Sequence, residues 1–233
     1  MDLICSFDYY IIIVGFYVKE GHGLEAMRID SNDLIKSILE SFDRIDYIKA
    51  EDIPNIDLYM DQVTTFMDSK LRKTSRFPDE DKVMTKTMIN NYAKNDLLPP
   101  PVKKKYSKEH VLVLIFIYYY KSFLSINDIQ TLLQPITEKF FHTEDSFNIQ
   151  TIYEEVFSME KEQVDILKAD VSQKYEAAQK TFEDAPEEDK EFLKDFSFIC
   201  QLSFDVYMKK LLLEKMIDTM RERYKKSDKK NDK

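Results

Sequence analysis

The chain has 233 residues, of which 43% are hydrophobic and 13% aromatic, enough apolar material for a packed core and too much for wholesale disorder. Only 3 Gly and 7 Pro stand against 33% charged residues, which argues against turn-rich folds such as a doubly wound sheet or a barrel and points to helices. The net charge is −9, an unfavourable sign for generic phosphate binding, so where the charges lie matters more than their sum.

The N-terminus carries an apolar run from Leu3 to Val18, centred on Ile11, Ile12, Ile13 and Val14. A membrane span needs roughly 20 such residues. This run is shorter and holds Asp8, which would cost about 2.5–3.5 kcal/mol at the centre of a span. No basic residue precedes it, as a signal peptide would require. It reads as a buried strand or helix, as an interfacial anchor, or as an extension ahead of a working start at Met27.

The first clear helix follows Ser31 and Asn32, natural N-caps, with Leu34, Ile35, Ile38, Leu39 and Phe42 on one stripe. Pro54 is expected to open a second helix carrying Leu58, Val63, Phe66 and Met67. Lys70–Asp81, with Arg72, Lys73, Arg76 and Pro78, reads as a charged linker. A third helix is expected from about Thr85, its cap, to Lys94, with Asn95 as the left-handed residue that ends it. Pro99, Pro100 and Pro101 hold an extended segment. Ser107 caps a fourth helix, apolar nearly all round from Val111 to Ile117, which must therefore be buried on most sides. Ser125 caps a fifth, with Ile126, Ile129, Leu132 and Leu133 on one face and Pro135 at its end. The remainder reads as long helices. The last places Ile199, Leu202, Val206, Leu213, Met216 and Met220 on a heptad-like seam, interrupted by Lys209. That seam suits packing within a bundle or a dimer.

Cys5 and Cys200 are far apart, and His22, His110 and His142 are scattered. No spacing suits a metal, and no phosphate loop or nucleophile motif is present. Neither a cofactor nor an enzymatic activity is expected. Charge is segregated. From Lys70 to Lys108 there are 11 basic and 4 acidic residues, an excess of +7 that leaves −16 for the rest of the chain.

The basic segment contains MTKTMINNYAKNDLLPPPVKKKYSKEHVLVLIFIYYYKSFLSINDIQTLL, Met84–Leu133. It resembles the MerR family of winged helix-turn-helix regulators. Thr85–Tyr92 is similar to that family's recognition helix, Asn95–Pro100 to its "GLLPP" turn, Tyr106-Ser107-Lys108-Glu109 to the start of its next helix, and Phe123–Leu133 to its "GFSLEEIKELL". It departs from the family in three ways. The wing is reduced to Pro101–Lys105 without glycine, a long charged linker precedes Met84, and Asn90 stands where an arginine commonly follows the matched Ile. The whole chain also looks similar to a less studied helical family of Gram-positive bacteria, catalogued mainly as a domain of unknown function.

The resemblance implies an all-α, cytoplasmic, DNA-binding transcription regulator, a repressor by preference, that acts as a homodimer on double-stranded DNA and has no membrane partner. Met84, Met88 and Ile89 would face inward, leaving Lys86, Thr87, Asn90 and Asn91 for the groove, since Asn can pair bidentately with adenine and Lys can reach guanine or phosphate. Tyr92 would pack inward or reach a phosphate. Lys103, Lys104 and Lys105, beside Tyr106, would contact phosphates and so position without specifying. The organisation expected is an apolar extension over 1–26, a helix-turn-helix domain over 27–137 and an acidic helical domain over 138–233 for dimerisation or sensing. The alternative is an acidic protein-interaction module that makes no DNA contact.

Overall fold

The computed structural model describes residues 31–42, 47–143 and 145–231. The apolar run Leu3–Val18 and the start at Met27 lie outside the described residues. Helices carry nearly all the regular structure. In chain order these are α1 (Ser31–Phe42), a 3-10 turn (Ala50–Asp52), β1 (Leu58–Tyr59), α2 (Met60–Leu71), a second 3-10 turn (Arg72–Thr74), α3 (Lys86–Lys94), β2 (Lys105–Tyr106), α4 (Lys108–Tyr120), α5 (Ile126–Phe140), α6 (Ile149–Ser158), α7 (Glu160–Gln179) and α8 (Glu187–Asn231). The strands pair antiparallel, Leu58 opposite Tyr106 and Tyr59 opposite Lys105.

Two of the polar residues placed before an apolar stripe act as side-chain caps. Thr85 Oγ1 accepts the Met88 backbone N–H at 3.2 Å, and Ser125 Oγ accepts that of Asp128 at 3.2 Å. Three boundaries differ from the expectation. Pro54 does not open α2; Leu58 is drawn into the ladder with Tyr106, so the helix starts only at Met60, where the Gln62 side chain accepts the Tyr59 backbone N–H at 2.8 Å. The left-handed residue after α3 is Asp96, with φ 55°, and not Asn95. Asn95 keeps φ −103° and donates its side-chain amide to the Asn91 carbonyl at 2.7 Å, satisfying one of the open carbonyls at the helix end. Pro135 lies inside α5. Leu132, Leu133 and Ile136 pack on the core on both sides of it, and this packing carries the helix past a residue that costs it a backbone hydrogen bond.

The main core is built around α4, whose residues Val111 to Ile117 are all buried. β1, α2, α3, α5 and α6 close around it, and α8 contributes Ile217. An aromatic group of Tyr47, Phe116, Tyr153 and Phe157 joins α4 to α6. The Tyr153 hydroxyl donates to the Ile48 carbonyl at 2.6 Å in the interior. A second cluster holds Val171, Tyr175, Ala178 and Phe198, with Ile35, Leu39 and Leu202 packed on it, so α1 lies on the α7–α8 hairpin. The core therefore groups α6 with α2–α5 and α1 with the C-terminal helices, and the boundary placed after residue 137 falls within the first cluster. Arg221 ties α8 to α5, donating to Asp128 Oδ1 at 2.8 Å and to Thr131 Oγ1 at 3.2 Å.

Candidate nucleic-acid interface

Helix α3 has two unlike faces. Ile89 and Tyr92, three residues apart, are buried, while Lys86, Thr87, Asn90, Asn91 and Lys94 are exposed. Nine residues make a rod about 13 Å long, and a major groove about 12 Å wide accepts such a helix. Tyr92 is only 6% exposed and Tyr106 3%. Both rings belong to the core, and burial raises both hydroxyls above the ordinary tyrosine range. Neither is placed to meet a phosphate, so both drop out of the contacting set.

The segment expected as a reduced wing is a hairpin. Val102 and Lys105 exchange backbone hydrogen bonds of 3.1 and 2.9 Å across the two-residue tip Lys103-Lys104, whose φ angles are 51° and 65°. Positive φ at both tip residues is the turn that matches strand twist, and Asn-Gly is the pair that favours it. A side chain with a Cβ costs about 1–2 kcal/mol there. Two exposed lysines occupy this strained tip, which forms without a glycine.

The tip and α3 are held by one junction. Tyr59 ends β1, caps α2 and pairs with Lys105. The Lys105 ammonium also lies over the Tyr59 ring, 5.2 Å from its centroid. Two residues on, Asp61 forms an ion pair with Lys86 at the start of α3. Both elements therefore lie beside the β1–α2 junction, the lysine tip through Lys105 and α3 through Lys86 at its start. Lys105 is half-buried, which leaves Lys103 and Lys104 as the freely presented charges. Tyr59 and Asp61 have no local sequence signal for this role, because their partners lie about 25 to 46 residues away in the chain.

His110 fixes the approach to the hairpin from below. Its Nδ1 accepts the Ser107 backbone N–H at 2.9 Å, which leaves Nε2 to carry the proton and point it at the Pro100 carbonyl, 3.4 Å away. The rings of Tyr106 and Phe141 meet it edge-on. Burial lowers its pKa to about 4, and the charge of His142 adds to this. An unfolded histidine titrates near 6.5, so the unfolded chain takes up the proton first as pH falls. Stability due to neutral His110 is complete above about pH 6.5 and is lost toward about pH 4, by roughly 3 kcal/mol in all. Urea unfolding between about pH 7.5 and 4.5 should show the wild type losing stability more steeply than His110→Gln. Parallel curves would count against this role.

Among the described residues no group of His, Cys, Asp and Glu could hold a metal ion, and no helix is long and apolar enough to cross a membrane. Cys200 is an exposed free thiol.

Residues 48–156 match the model of a family described as a domain of unknown function (DUF1836). The matched span begins at Ile48 and ends three residues beyond Tyr153, the two residues joined by the buried hydrogen bond, so it coincides with the sequence range of the main core apart from Tyr47, Phe157 and Ile217. No curated protein and no solved structure matches the chain.

Proposed function

We propose that this chain is a cytoplasmic transcription regulator, a repressor, that binds double-stranded DNA in a sequence-specific manner through α3 and the hairpin beside it. The observation that carries the reading is the exposed polar face of α3, anchored at the same β1–α2 junction as two exposed lysines held in a strained turn. Backbone strain in a ligand-facing loop is commonly kept for what the side chains do there, and the order helix, helix, hairpin, helix, helix agrees with the arrangement the sequence resembles. On this view α3 enters the major groove. Asn90 and Asn91 read base edges, Lys86 and Thr87 contact bases or the backbone near the helix start, and Lys103 and Lys104 hold phosphates. The acidic remainder of the chain disfavours loose association with nucleic acid and leaves binding to α3 and the hairpin.

Footprinting and gel shift on the DNA upstream of the protein's own coding region, at fixed salt, test the proposal. A protected site bound at least about 10³-fold more tightly than random DNA is expected, and equal binding to both rejects sequence-specific regulation. Asn90→Ala should lose about 1–3 kcal/mol on the specific site and almost nothing on random DNA. An equal loss on both would remove Asn90 from base reading.

A further inference from the structure

We infer that the apolar segment Leu3–Val18 of this same chain covers the exposed face of α8 from Ile199 to Leu213, with Asp8 set beside Lys210. The inference is independent of DNA binding. Phe192, Phe196, Ile199, Val206 and Leu213 form one stripe along α8, with Ser203 and Lys210 at the positions between. All five apolar side chains are between 39% and 69% exposed, although Phe198, one residue from the stripe, is buried with Val171 and Tyr175 of α7. Among the described residues nothing covers the stripe. A continuous apolar patch of this kind is rarely left in water and marks a surface that meets something.

Attachment, reach and charge select the occupant. The hydroxyl of Ser31, the first residue of α1, donates to Asp195 Oδ2 of α8 at 3.4 Å, and Ile35 and Leu39 of α1 pack on the cluster that holds Phe198. The chain that precedes Ser31 therefore starts from the side of α8, between the levels of Phe192 and Phe196. The twelve residues from Lys19 to Asp30 reach at most about 40 Å, and Leu213 lies about 27 Å along the helix from Asp195. Thirteen of the sixteen residues from Leu3 to Val18 are apolar or aromatic, so the segment itself gains from cover. Even in the shortest regular form, a helix, it is about 24 Å long, against about 21 Å from Ile199 to Leu213. The segment carries one charge, Asp8, and the stripe carries one, Lys210, whose own neighbour Glu214 stands at 3.8 Å. A carboxylate under apolar cover needs a cation, and a second copy of the stripe would offer Lys210 no acid. With Asp8 level with Lys210 and the segment antiparallel to α8, Val18 comes level with Ile199, on the short path back to Ser31. Phe192 and Phe196 are left to the connecting residues, which include Leu24, Met27 and Ile29.

Cross-linking on the full chain, in a Cys5→Ser, Cys200→Ser background, tests the placement. Asp8→Cys with Lys210→Cys should close a disulfide within one chain on mild oxidation, seen as a faster-migrating monomer in denaturing electrophoresis. Asp8→Cys with Lys215→Cys, on the opposite side of α8, should not. Equal linkage of both pairs, or none, overturns the inference. Linkage between two chains overturns it as well, because the covering segment then comes from a second copy. A second measurement does not use the charged pair. Val206→Cys alone in the same background should react with a maleimide about tenfold more slowly than Lys215→Cys. Adding Ile12→Asp and Val14→Asp should bring the two rates together while circular dichroism still shows the folded helices. Protection that survives those changes means another occupant, such as α8 of a second copy, and rejects the segment. Fast reaction of Val206→Cys with the segment unaltered means an open face and rejects it too. Either failure leaves the proposed function standing, since that is read from α3 and the hairpin by gel shift.

Discussion

Replacing Lys103, Lys104 and Lys105 together by Ala is expected to weaken binding to every DNA sequence alike, by roughly 100-fold near 0.15 M salt. Each phosphate neutralised releases counterions and contributes about 0.9 to the slope of log affinity against log salt. Losing three contacts should therefore flatten that slope by close to 3, or nearer 2 if Lys105, half-buried over Tyr59, takes little part. The ratio of specific to random binding should stay where it was, because phosphate contacts do not read sequence. A second variant separates charge from turn shape. Lys103→Asn with Lys104→Gly places at the tip the residues its backbone prefers, and relief of two left-handed side chains should raise stability by about 1–2 kcal/mol in urea unfolding. The same variant should bind DNA more weakly. Higher stability with undiminished binding would show that the lysines are not phosphate contacts.

The hairpin shows what the sequence conveys and what it hides. Three consecutive lysines before Tyr106 are visible as a basic cluster, and Pro99–Pro101 mark an extended entry. That Lys103 and Lys104 take left-handed angles is not visible, since lysine carries no preference for them. The turn that closes with Val102 opposite Lys105 requires them, and its second strand pairs with β1 across a separation of 48 residues at Leu58 and Tyr106. The same pairing displaced the start of α2 from Pro54 to Met60. Local signals were read where the physics is local: Thr85 and Ser125 cap the helices they precede, and the all-round apolar run of α4 is buried throughout. Tyr92 could have been placed from the sequence as well. It stands three residues after Ile89, on the same helix face, so a buried Ile89 takes Tyr92 inward with it. Tyr106 carries no such marker, and its burial follows from the strand. Nor does the amphipathic stripe of α1 say which helices it meets; it meets α7 and α8.

A fragment ending at residue 137, the domain boundary expected from the sequence, is expected not to fold. Without α6 the apolar side of α4 loses its cover at Phe116, which packs at a tilt against Phe157 and meets Tyr153 edge-on, and the Ile48 carbonyl loses its buried donor. Truncating Tyr153 in the full chain isolates the effect. Tyr153→Ala should cost about 3–5 kcal/mol from the cavity it leaves, a large part of the 5–15 kcal/mol that holds a typical domain together. Tyr153→Phe keeps the ring and removes only the hydroxyl, leaving the Ile48 carbonyl unpaired, for about 1–3 kcal/mol. Urea unfolding of the two variants orders these losses, and near-equal values would mean that the hydrogen bond and not the ring holds α6 in place. A fragment of residues 46–158 should fold by circular dichroism but with less stability than the full chain, because Ile217 of α8 also enters this core and its removal exposes the apolar surface it covers. If 46–137 folds as well as 46–158, α6 is an attachment. If only the longer fragment folds, the smallest unit able to hold α3 and the lysine tip in place is the span from Ile48 through α6.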